Sequence, residues 1–190
     1  MFENEKIEEI LTVLNNNGVI LLPTDTIWGL SADITNDSAI EKIIAIKKRK
    51  PEKGFICLVD SLEMLKLYVG KLHPRVETLL HYHNRPLTVI YDAPILPVSS
   101  QVCAPDGSIA FRIVQDHFCA NLIKLFGKPI VSTSANISTA PFPTGFGSIS
   151  SEILEQVDMV VRYKQHTKDV VMPSTIVRLR NDEELDFIRE

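Results

Sequence analysis

The sequence has no apolar run approaching the roughly 18 residues that a membrane-spanning helix needs. Its first residues, Met1 to Lys6, are acidic and polar, where a secretory signal would be basic and then apolar. The expectation is a cytoplasmic protein with no membrane association. Cysteine is scarce and odd in number: Cys57, Cys103 and Cys119 show no CxxC spacing, which argues against a disulfide framework or a zinc site and for reduced, packed thiols. His73, His81, His83, His117 and His166 fall at no ligand spacing either, so no set of protein metal ligands is expected. Positive charge is not in excess. Lys and Arg number 20 against 24 Asp and Glu, so the surface as a whole repels a phosphate backbone and any anion site must be a local pocket. The motifs GxxxxGK[ST], GxGxxG after a strand, GxSxG and HExxH are all absent, which excludes the commonest phosphate-loop, dinucleotide, hydrolase and zinc-protease signatures.

What is present is a chain of 190 residues with 45% hydrophobic content, enough for one sizeable core and a single domain over 1–190. Ile7, Ile10, Leu11 and Leu14 recur at helical spacing between Glu3 and Asn17, with Asn17-Gly18 as a stop. Val19 to Leu22 reads as a short buried strand ended by Pro23. Asp37 or Ser38 is placed to cap a second helix, with Ile40, Ile43 and Ile44 toward the core. Phe55 to Val59, Leu87 to Tyr91, Ser108 to Val114 and Ile130 to Thr133 read as strands. Ser61, Pro74 and Asp116 open helices ending near Val69, His83 and Phe126. A helix over Ser151 to Val157 and strands over Met159 to Tyr163, Ser174 to Leu179 and Leu185 to Arg189 complete the chain. Helices interspersed among apolar strands, with closely spaced strands at the end, point to an α/β or α+β fold on a mixed sheet.

Three polar clusters interrupt this pattern. Pro23 to Leu30, PTDTIWGL, crowds hydroxyls, one acid, an aromatic and a glycine at a strand end, where open sheets bind ligands. Lys47 to Gly54, KKRKPEKG, ends a helix in cations; these either sit solvated at the helix terminus or clamp a polyphosphate. Ser132 to Asn136, STSAN, begins a Ser, Pro and Gly-rich loop reaching Gly147, and is either a polar turn or a holder of ribose, phosphate or a metal-bound water. Arg112 lies inside an apolar strand, so its charge must face a cavity or a partner carboxylate.

Taken in order, PTDTIWGL, KKRKPEKGF, SIAFRI, PIVSTSANIS and PSTIV resemble the Sua5/YrdC family of threonylcarbamoyl-adenylate synthases, from about residue 10 to 189. The resemblance implies a twisted mixed open sheet with helices around a concave nucleotide-binding cavity. It implies a nucleotidyltransferase that uses ATP with Mg2+, bicarbonate and L-threonine, and passes its product to downstream tRNA threonylcarbamoyl-transfer proteins, with weak RNA or tRNA binding. Residue by residue, it implies that Lys47 and Arg49 bind the nucleotide phosphates and carry the catalysis, with Lys53 and Ser108 as further nucleotide contacts. Arg112 would clamp the amino-acid carboxylate. Thr26, Ser132 and Ser174 would lie near threonine, Ser134 and Asn136 near the triphosphate, and Arg189 near the nucleotide. This chain departs from the family pattern at Trp28, at Asn84-Arg85-Pro86, at Thr139 where a glycine is usual, at Phe142 where a small hydroxyl is usual, and at Arg189-Glu190. Two other readings remain: an RNA-binding module without catalysis, and a relative acting on another carbamoyl or nucleotide substrate.

Overall fold

The computed structural model describes residues 6–49, 54–167, 172–180 and 183–189. Lys53, Glu190 and the expected helix start at Glu3 lie outside the described residues.

The helices form where the apolar stripe and the caps coincide. Helix α1 (Ile7–Asn15) buries Ile10 and Leu14, one turn apart on its apolar face. Helix α2 (Asp37–Lys47) is capped by Asn36, whose side chain accepts the Ala39 amide; Asp37 and Ser38 already lie inside the helix, and the Ser38 hydroxyl donates back to Asn36 Oδ1. The buried positions are Ile40, Ile43 and Ile46, with Ile44 only partly covered, so the core-facing stripe is turned from the one expected. Ser61 caps α3 (Leu62–Val69), and Pro74 sits in the first turn of α4 (Pro74–Tyr82). Helix α5 (His117–Phe126) opens on Asp116, which accepts the Cys119 amide, and closes on Gly127 at φ 80. Helix α6 (Ser151–Leu154) is a single turn.

The strands are β1 (Ile20–Leu22), β2 (Gly29–Asp33), β3 (Ile56–Val59), β4 (Leu87–Tyr91), β5 (Ile109–Ile113), β6 (Ile130–Ser134), β7 (Met159–Val160), β8 (Thr175–Leu179) and β9 (Leu185–Arg189). They form one sheet in the order β7-β1-β2-β6-β3-β5-β4-β8-β9. β1 with β7, β3 with β5 and β4 with β8 run parallel, and the other neighbours run antiparallel, so the sheet is mixed as expected. The strand β2 was not expected. Its Gly-Leu-Ser-Ala-Asp lacks the β-branched and aromatic residues that mark a strand, yet it sits between β1 and β6 with every residue buried.

Strand alternation divides the core between the two faces. Leu21, Leu30, Cys57, Phe111 and Val131 pack with α2 and α3 on one face. Ile20, Leu22, Leu58 and Ile130 pack with α1 and α5 on the other, where each buried Leu or Ile contributes about 1.5–3 kcal/mol of apolar burial. That second face is only partly covered. Continuing along the same strands at the two-residue period, it presents Ser132 and Ser134 after Ile130, Ile56 before Leu58, and Arg112, the register partner of Leu58. Two serines and an arginine stand here beside Ile56, and this part of the sheet is the floor of a cavity.

Candidate active site

The cavity has a volume of about 350 Å³, within the range of small-molecule sites. Gly29 makes its floor possible: a Cβ there would lie 2.5 Å from Ser132 Oγ across the β2–β6 pairing. Three guanidiniums, Arg49, Arg112 and Arg189, line it with the hydroxyls of Thr26, Ser132, Thr133, Ser134 and Ser174. Ile27, Ile56, Ile176 and Phe142 supply an apolar wall. Among the described residues, no acidic side chain lines it. In a chain of net charge -4 this is a concentrated positive recess.

Each arginine is placed differently. Arg112 is fixed by β5, with Leu58 of β3 on one side and Thr88 of β4 on the other. Its side chain is 4% exposed and pairs through Nη2 with Asp25 Oδ1 at 3.1 Å. Nη2 also donates to Thr24 Oγ1 at 3.3 Å, while Nε is buried without a partner. Thus both alternatives for a strand arginine, a cavity and a carboxylate, are realised at once. Burial lowers the Arg112 pKa and Asp25 opposes that fall. Arg189 Nε donates to the Ser174 carbonyl at 2.9 Å and Nη2 to Ser174 Oγ at 3.2 Å; burial, and then Arg112, lower its pKa. Arg49 donates to Thr133 Oγ1 at 3.1 Å and to the Gly54 carbonyl at 2.7 Å, and its guanidinium lies 4.3 Å from the centre of the Phe55 ring.

The hydroxyls have directions. The Thr24 hydroxyl donates to the Ile27 carbonyl at 3.0 Å and accepts from the Thr26 amide at 3.1 Å, and its oxygen lies 3.0 Å from Thr26 Oγ1. Ser174 and Thr88 share a hydrogen bond of 2.8 Å between their hydroxyls.

Lys47 is not among the lining residues. Its residue is 3% exposed, and Nζ donates to the Ser134 carbonyl, to the Asn136 carbonyl at 2.7 Å and to Asn136 Oδ1 at 3.3 Å. The Lys47 carbonyl accepts from the Ser138 amide at 2.8 Å, so Lys47 staples the start of the 135–147 loop. Burial, with Arg49 as the second cause, lowers its pKa to about 8. Asn136 is also absent from the lining; its Nδ2 donates to the Ile137 carbonyl at 3.2 Å and to the Ala140 carbonyl at 2.5 Å. Ser108 lies outside as well, donating through Oγ to Asp106 Oδ1 at 2.6 Å; that bond and its neighbours, with Arg178, pull Asp106 down to about 2.

The cavity therefore brings together Thr26, Arg49, Arg112, Ser132, Ser134, Ser174 and Arg189, and leaves Lys47, Asn136 and Ser108 in supporting positions. Sequence reasoning missed Thr133, Thr24 and Asp25 as working residues. The signal for Asp25 was a lone acid between two hydroxyls at a strand end.

Among the described residues there is no group of three or more His, Cys, Asp or Glu able to hold a metal, and no helix is long and apolar enough to cross a membrane.

The Sua5/YciO/YrdC family model, described as telomere recombination, matches residues 12–190. The threonylcarbamoyl-AMP synthase of Riesia pediculicola is 32% identical over 165 residues, which are 84% of this chain and 85% of that protein. The threonylcarbamoyl-AMP synthase of Vibrio parahaemolyticus is 34% identical over 140 residues, 72% of this chain and 75% of that protein. The crystal structure of P. abyssi Sua5 complexed with L-threonine shares the fold, with a TM-score of 0.83 at 21% identity over 96% of this chain. It covers 53% of that protein, so this chain spans about half its length. With the family model matching nearly end to end and two relatives above 30% identity, the chain belongs to the Sua5/YciO/YrdC family.

Proposed function

We propose that this chain is a threonylcarbamoyl-AMP synthase, joining L-threonine, bicarbonate or carbon dioxide, and ATP into threonylcarbamoyl-AMP and pyrophosphate. Two relatives bearing that name at 32% and 34% identity support the activity. The observation that carries it is the convergence of Arg49, Arg112 and Arg189 on one cavity without an acidic lining residue among those described. The product is an activated acyl phosphate, whose use is to modify tRNA through downstream threonylcarbamoyl-transfer proteins.

Two bonds between heavy atoms form, N–C and O–P; an amine N–H gives up its proton and one P–O bond breaks. The threonine amine adds to carbon dioxide to give a carbamate, losing a proton. A carbamate oxygen then bonds to the α-phosphorus of ATP as the bond to the pyrophosphate oxygen breaks. One anion must approach another while charge grows on the leaving group, so the main requirement is preorganised positive charge. In this reading Arg49 and Arg189 face the phosphates and the Arg112 guanidinium takes the threonine carboxylate. The Thr26 and Ser174 hydroxyls orient the amino acid. Lys47 acts one step back, by fixing the loop that carries Ser134. Holding the reactants in line removes part of the entropy cost of a reaction with three participants.

The lining does not fit a protein-held Mg2+, which ordinarily takes one or two carboxylates.

The test is to incubate the purified protein with ATP, Mg2+, bicarbonate and each amino acid in turn, measuring pyrophosphate and the adenylate adduct. Release that requires both threonine and bicarbonate is expected. Release independent of threonine contradicts the assignment.

A further inference from the structure

We propose that Asp25 is a positioning residue for amino-acid binding: it holds the Arg112 guanidinium through Nη2, so that the group is fixed at the cavity for the ligand carboxylate. This inference rests on the threonine reading and adds to it a residue that does not itself line the cavity.

The argument begins with burial. The Asp25 side chain is 5% exposed, at the end of β1 between the buried Thr24 and Thr26. A carboxylate withdrawn from water at that depth needs a specific partner. Its Oδ2 accepts the Gln115 amide at 3.2 Å, just beyond the end of β5. Its Oδ1 makes no hydrogen bond, but lies 3.1 Å from Arg112 Nη2. The carboxylate is therefore anchored to backbone on one oxygen and faces the guanidinium with the other.

Arg112 has the complementary pattern. Both of its contacts, to Asp25 and to Thr24, use the single nitrogen Nη2. The stem is fixed by strands on both sides, so the guanidinium plane is the one part left to be set. Pinning Nη2 sets it, and leaves Nε buried and unsatisfied. A guanidinium is planar, and the orientation of that plane decides which of its N–H groups a carboxylate meets.

Charge points the same way. Arg189 lies close enough for Arg112 to lower its pKa, and Arg49 lines the same cavity. Asp25 is the acid that opposes the lowering of the Arg112 pKa. Lying behind the arginine, it balances the mutual repulsion of the guanidiniums without occupying the face that an anionic ligand approaches.

The experiment compares wild type, Asp25→Asn and Asp25→Glu in pyrophosphate release, with threonine and ATP varied separately, and in thermal shift with saturating threonine or saturating ATP. For Asp25→Asn the threonine KM is expected to rise about tenfold or more, with the ATP KM within about twofold. The threonine-induced thermal shift is lost and the ATP-induced shift is kept. Asp25→Glu keeps the charge one methylene displaced and gives an intermediate threonine KM, which carries the test if the Asn variant does not fold. A threonine KM unchanged or lowered in a folded variant overturns the proposal, as does an equal rise for both substrates. If wild type shows no threonine dependence, the functional reading falls and this inference with it; if wild type responds and both variants respond equally, the role of Asp25 alone falls.

Discussion

Two cations of the site, Arg112 and Lys47, are both buried, yet the chain uses them in opposite ways. Arg112 stands in β5, where ladder pairing on both sides sets its position and its guanidinium still lines the cavity. Lys47 ends α2, where no ladder holds it, and its ammonium is taken up by oxygens of Ser134 and Asn136. A strand can present a charge to a ligand because its backbone needs nothing from the side chain. A helix end and its neighbouring loop need the charge to hold each other.

The largest expected effect comes from breaking the strand side of this contrast. Arg112→Lys keeps a charge but loses the fork, and should lower kcat/KM for threonine by about 100-fold, the scale of losing a transition-state donor, with ATP binding retained in a thermal-shift assay. Complete removal in Arg112→Ala also leaves Asp25 buried and unpaired, at a cost of about 3–5 kcal/mol in urea unfolding.

On the helix side, Lys47→Met should destabilise the protein by about 1–3 kcal/mol, because the Ser134 and Asn136 carbonyls lose their donor. Hydrogen exchange should localise the loosening to the 135–147 loop. An effect on phosphate binding with no loss of loop protection would instead make Lys47 a direct ligand and erase the contrast.

Proton uptake sharpens it further. With Lys47 at about 8 in the folded protein against an ordinary 10.5, the ammonium is present below pH 8 and lost above it. Activity should therefore show an alkaline limb near pH 8. Stability should move the other way: between those two values the unfolded chain binds more protons at this group, so its contribution rises with pH. Activity and urea unfolding measured over pH 7 to 10 check both signs.

The smallest expected effect lies in the loop that Lys47 staples. Thr139 is held at φ 79, a conformation costly for a β-branched residue. Thr139→Gly should raise stability by about 1 kcal/mol, read as a higher urea midpoint.

These differences explain what could be read in advance. The apolar runs of β3 and β4, the alternation of β5 and the caps at Ser61 and Asp116 are local signals, and they survived folding because nothing opposed them. Strand β2 was hidden because its residues are chosen for close approach and for the cavity face, with Gly29 against Ser132, and not for strand propensity. The Asn36 cap was passed over because two good capping residues follow it immediately. Thr26, Arg49, Arg112, Ser132, Ser134, Ser174 and Arg189, legible by resemblance, do share one cavity. The burial of Lys47 was illegible, since a run of cations at a helix end reads as solvated until the chain that returns 87 residues later supplies its acceptors. Asp25 was hidden for the same reason: its partner lies in a strand remote in sequence.

The most direct test of the central claim, that the guanidiniums around one recess hold both anions of the reaction, is a crystal structure with L-threonine and a non-hydrolysable ATP analogue bound. The account predicts the threonine carboxylate within about 2.7–3.2 Å of an Arg112 guanidinium nitrogen and the phosphates against Arg49 and Arg189. Ligands seated elsewhere, with no contact to the Arg112 guanidinium, would contradict it.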